Sequence, residues 1–121
     1  MMRSIDRAFF ILAVLMGLAG MLMGMAHDFQ LVPVHTHINL VGWVSLALFG
    51  IGYRVGLAKA GALAVIHFWI AAAGAILLPA GIYLAVTQEQ QAVVIIGSLL
   101  VLASMLLFLA NVVRAWNTPA A

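Results

Sequence analysis

The sequence predicts an all-α fold, a four-helix transmembrane bundle, and three observations carry that expectation. Of the 121 residues, 67% are hydrophobic and 7% charged. A soluble domain of this size has too much surface for its volume to hide so much apolar area. Apolar runs of helix length recur along the chain, each closed by a polar stretch, and the basic residues fall in alternate connections. The lipid bilayer is therefore the first expected partner.

A membrane helix needs roughly 20 mostly apolar residues to cross a hydrocarbon core of about 30 Å. The first such run extends from about Ala8 to Ala26 and the second from about Val34 to Tyr53. The third extends from about Ala62 to Val86 and the fourth from about Ala92 to Val113. The stretches HDFQ, YRVGLAK, TQEQQ and RAWNT bound them. Connections this short cannot fold alone, so residues 1–121 form a single domain of antiparallel neighbours. The first run is too long for the apolar region of a secretory signal, and no A-x-A site precedes His27, so it is expected to be a permanent span. Gly17, Gly20 and Gly24 in the first span and Ala71 to Ala75 in the third suit close internal packing of helices.

Charge sets the expected sidedness. Arg3 and Arg7 precede the first span, Arg54 and Lys59 separate the second from the third, and Arg114 follows the fourth. The other two connections carry Asp28 and Glu89 without Lys or Arg. Positively charged loops stay inside, so a multi-pass protein of the inner (plasma) membrane with both termini cytoplasmic is expected. The net charge of +2 rests on five scattered Lys and Arg rather than a patch, which argues against nucleic acid as a partner. The absence of Cys removes disulfides and thiolate metal sites and leaves His, Met and carboxylates as ligands. The span interiors hold no Asp, Glu or Lys, which argues against a proton pump.

The chemistry concentrates in PVHTHINL, residues 33–40. His35 and His37 stand at the outer edge of the second span, two positions apart. A helix turns about 100° per residue, so they point about 200° apart. They cannot share one metal ion as an i, i+4 pair does. The spacing implies two environments, one on each flank of the helix. Interfacial histidines bonded to water or carbonyls are the plainer alternative, and Asn39 adds a third polar group that weighs against it. His67 enters the third span from the opposite side, roughly 8 Å deep at 1.5 Å per residue, too far from the pair to join it.

The stretch HDFQLVPVHTHINLVGWVSLALFGIGY resembles the segment entering the tenth helix of the haem–copper oxidase catalytic subunit. That family carries a His-Asp pair followed, after six residues, by His-x-His. The next span, VIHFWIAAAGAILLP at residues 65–79, resembles the family's eleventh helix, so the chain resembles helices nine to twelve through its two central spans and their order, the first and last spans being generic. The resemblance implies that His35 and His37 bind haem iron on opposite flanks of their helix. It places His27 and Asp28 near haem propionates and a magnesium site, with a solvated turn as the alternative for both. His67 matches a family histidine that is not a ligand, and a structural role among the helices is expected. The family subunit has about twelve helices and this chain a third of that, without the copper-binding helices or the second low-spin haem ligand. Phe29, Gln30 and Leu31 replace the family's aromatic residues, and Pro33 is unusual. One chain thus cannot build the oxygen-reducing centre, and whether any substrate is turned over is open. A closed homotrimer would rebuild the family's ring of three arcs. The expectation is a haem b-binding membrane cytochrome serving electron transfer or small-gas redox chemistry, its redox partner unknown.

Two rivals come from other classes. His35, His37 and His27 from several copies would hold copper without haem, an idea encouraged by Met16, Met21, Met23 and Met25, though Met in apolar helices is more often gap filler. Alternatively the helices serve only to pack an accessory or assembly subunit against a larger oxidase.

Overall fold

The computed structural model describes residues 4–117, so Arg3 lies outside them. Four helices are long and apolar enough to cross a membrane: α1 (Ile5–Met25), α2 (Phe29–Arg54), α3 (Ala62–Gln88) and α4 (Ala92–Arg114). No strand occurs among the described residues. The chain is a four-helix bundle of the multi-pass kind.

Each helix runs beyond its apolar segment at one end or both, and α1 stops at Met25, one residue before the expected Ala26. The largest extension is at the start of α2. There Asp28 accepts a hydrogen bond from the Gln30 backbone N–H at 3.2 Å and caps the 3-10 turn Phe29–Leu31. Pro33 falls in the first α-turn, where its missing N–H costs no helical bond. The helix is α-helical over Val32–His37, widens to a π-helix over Ile38–Ser45, and is α-helical again over Leu46–Arg54. Ser45 Oγ donates to the Leu40 carbonyl five residues back, at 2.8 Å, matching the wider turn. α1 closes at His27 in the left-handed conformation (φ 57°), and Glu89 (φ 54°) closes α3 the same way.

Glycines set the two close helix pairings. On α3 and α4, a Cβ at Gly97 would lie 2.6 Å from Leu78 Cα, and one at Gly81 would collide with the Val94 backbone. On α1 and α2, a Cβ at Gly50 would lie 3.0 Å from the Asp6 carbonyl, and one at Gly42 would meet Met16. Small residues bring backbones together where apolar attraction between helices in lipid gives little.

The two ends of the bundle differ. At the end holding Arg7, Arg54, Lys59 and Arg114, Phe9, Phe49, Tyr53 and Phe68 close a buried core. At the opposite end α1 and α3 stand apart over Val34 and Ile38 of α2. This leaves an apolar groove of about 460 Å³ bounded by Met23, Pro79 and Tyr83. α4 exposes Ile95, Leu99, Leu102, Leu106 and Leu109 along its outer face.

Gly81→Ala tests the α3–α4 approach. The variant is expected to lose about 1–3 kcal/mol through overpacking against backbone that cannot yield. Thermal unfolding in detergent reads the loss, and an unchanged midpoint would contradict so close an approach.

Candidate functional site

The outer half of α2 carries the chemistry, and α1 is shaped to receive one side of it. His35, Asn39 and Trp43 recur at intervals of four and face Gly24, Gly20 and Gly17 of α1. A Cβ at Gly24 would lie 3.2 Å from His35 Cε1, one at Gly20 2.6 Å from Asn39 Oδ1, and one at Gly17 3.4 Å from the Trp43 ring. The glycines noted for close packing in the first span thus make room for these three side chains.

This seating engages His35. Asn39 Nδ2 donates to His35 Nε2 at 3.2 Å and to the His35 carbonyl at 3.2 Å. An amide nitrogen has no lone pair to offer, so His35 Nε2 accepts and the ring proton sits on Nδ1. That Nδ1 is buried without a hydrogen-bond partner among the described residues.

His37 is set the other way. Its Nδ1 donates to the Pro33 carbonyl, one turn back, at 2.8 Å. A carbonyl only accepts, so the proton is on Nδ1 and Nε2 keeps its lone pair. Metal-ligating histidines commonly hold their second ring nitrogen in this manner, which fixes tautomer and ring orientation. His37 is half-buried, and Val32–His37 is regular α-helix, so the two histidines diverge as their spacing requires. The π-helix begins at the next residue, a feature often found at functional sites.

His27 and Asp28 join His35, Met23 and Gly24 around a cavity of about 210 Å³. Both form the exposed turn between α1 and α2, and Asp28 is occupied in part by its cap to Gln30. Among the described residues no three His, Cys, Asp or Glu side chains gather closely enough to hold a metal ion. Of the four methionines of α1, Met16 and Met23 line the same apolar groove, and Met21 and Met25 do not line it. Met16 fills the space at Gly42, Met23 borders the groove, and Met21 and Met25 are exposed.

At the other end, His67 is fully buried where all four helices meet. Its ring centroid lies 5.0 Å from Phe9 of α1, 4.6 Å from Phe49 of α2 and 5.5 Å from Phe108 of α4. Asn111 Nδ2 donates to the Lys59 carbonyl at 2.8 Å and to Tyr53 Oη at 3.2 Å. Tyr53 therefore turns its own proton to His67 Nδ1 at 2.8 Å. His67 Nε2–H is left among aromatic faces, which act as weak acceptors. The expected structural role among helices is the one His67 plays. Tyr53 and Asn111 were not singled out from sequence, although an Asn inside an apolar span is a usable signal, since lipid offers it no partner.

Tyr53→Phe removes the hydroxyl shared by Asn111 and His67 and strands both. A loss of about 1–3 kcal/mol is expected, read by thermal unfolding, with no effect on any ligand held at the His37 end. A variant as stable as the parent would contradict the network. No family model, curated protein or solved structure matches this chain.

Proposed function

We propose that the chain is a haem b-binding membrane cytochrome in which His37 is an axial ligand and another copy of the chain completes the coordination. The observation that carries this is the His37 Nδ1 hydrogen bond to the Pro33 carbonyl, which holds Nε2 ready as a donor on the flank opposite α1. The resemblance of residues 27–53 to the haem-ligating segment of haem–copper oxidases supports the choice of haem iron over another metal. Pro33, a departure from that family's pattern, here supplies the carbonyl that orients the ligand.

His35 fits the role less readily. Its Nε2 meets Asn39, so ligation by His35 requires that contact to open. One chain does not bring His35 and His37 to one point, which is why a homotrimer, with each α2 offering its two flanks to two neighbours, is the assembly we favour. When bound, haem would supply one-electron transfer, or with one axial position open, a site for a small gas such as O₂ or NO. The chain's part is to fix the His37 ring, to seat His35 against α1 and to surround both with apolar side chains. Charge supports the sidedness we propose, with both termini on the cytoplasmic side of an inner membrane: Arg7, Arg54, Lys59 and Arg114 gather at one end, and Asp28 and Glu89 lie at the other.

Absorption spectra of purified protein after haem supplementation test the proposal. A Soret band is expected in the parent, lost or at least tenfold weaker in His37→Ala, and shifted in His35→Ala. No Soret band in the parent would refute haem binding, and copper found by metal analysis in its place would favour the haem-free reading. A mass measurement giving a monomer that still binds bis-histidine haem would refute the assembly.

A further inference from the structure

We infer that the cleft between Lys59 and Arg114 is a docking site for an anionic phospholipid, with its phosphate between the two cations and an acyl chain along α3. This goes beyond the cytochrome proposal and does not depend on it. The cleft, about 420 Å³, is lined by Lys59, Leu63, Ile66 and Arg114 among others, and among the described residues no carboxylate lines it.

The two cations differ from the other basic pair at this end. Arg7 and Arg54 border a second cleft, but there Asp6 is part of the wall and accepts a hydrogen bond from Arg54 at 2.9 Å. Among the described residues neither Lys59 nor Arg114 has an ion-pair or hydrogen-bond partner for its side chain. Two uncompensated cations flanking an apolar cleft complement a phosphodiester carrying hydrocarbon, and Arg and Lys are the usual phosphate partners.

The spacing of the pair is also built into the fold. The loop after α2 turns back through the Leu57 and Ala58 N–H groups, which donate to the Gly52 carbonyl at 2.9 and 3.3 Å. Ala58 is buried, and Asn111 holds the Lys59 carbonyl at 2.8 Å. Arg114 follows Asn111 by three residues on α4, so the buried Asn111 sets where both cations emerge. Below them Ile66 and Trp69 are exposed on α3, one helical turn apart, and continue an apolar wall toward the bilayer interior. A phosphate held at the interface leaves its acyl chain along that wall.

The test compares full-length protein in neutral detergent with added phosphatidylglycerol, phosphatidylcholine or inorganic phosphate. Retained lipid is counted by native mass spectrometry and stability by thermal unfolding. Phosphatidylglycerol is expected to be retained and to raise the midpoint of the parent, phosphatidylcholine to do neither, and inorganic phosphate to leave the midpoint unchanged. The Lys59→Gln/Arg114→Gln variant is expected to bind phosphatidylglycerol more weakly, by about fivefold for each charge removed, while Arg7→Gln retains it. Both substituted side chains of the double variant are exposed, so its unsupplemented midpoint should match the parent's. Equal retention of the two lipids, undiminished binding by the double variant, or a midpoint shift from inorganic phosphate alone would each overturn the assignment.

Discussion

His67 stands where all four helices touch, and the hydrogen bonds that end on it organise the rest of the bundle. Lipid offers a polar group no partner, so the Tyr53 hydroxyl joins His67 Nδ1 to Asn111 Nδ2, while His67 Nε2 and Asn111 Oδ1 stay buried without a partner among the described residues. The directions of these bonds then follow in turn. Asn111 has only N–H to give from Nδ2, Tyr53 must pass its own proton on, and His67 must accept at Nδ1. Because the three residues come from α3, α2 and α4, the exchange fixes how those helices meet. Phe9 adds α1 by stacking on Tyr53 at 5.5 Å between centroids. Through the Lys59 carbonyl the same Asn111 sets the path of the loop between α2 and α3.

A bundle closed by this core at one end is open at the other. There α1 and α3 diverge, and the polar side chains of α2 find their partners within α2 itself. His35 goes to Asn39 and His37 to the Pro33 carbonyl. The outcome is asymmetric. One histidine is absorbed into the α1–α2 seam, and the other keeps a free lone pair on the opposite flank. The proposed sharing of a cofactor between copies would draw on this division, with a closed core in each chain and the His37 donor on the flank away from α1. The exposed apolar faces of α2 and α4 leave area for lipid and for neighbours alike.

Much of this was legible in the sequence. Four apolar runs closed by polar stretches located every helix, since the hydrocarbon thickness leaves little choice of span length. The two-residue spacing of His35 and His37 gave their divergence, because nothing in Val32–His37 departs from regular helical geometry. The π-helix over Ile38–Ser45 was not foreseeable, because its sequence, INLVGWVS, suits an α-helix as well. The partners of the histidines were also hidden. Pro33 acts through a carbonyl, which every residue possesses, and Tyr53 and Asn111 are 58 residues apart until the helices fold back. The seating of His35 needed Gly24 on another helix, so spacing along α2 alone gave no sign of it.

Ring-nitrogen NMR of ¹⁵N-histidine-labelled protein in bicelles tests the central claim most directly. His37 should show a protonated Nδ1 and an unprotonated Nε2, and His67 the reverse, with its proton on Nε2. His37 found with its proton on Nε2 would remove the donor on which the proposed function rests, and His67 with a protonated Nδ1 would break the chain of hydrogen bonds that closes the bundle.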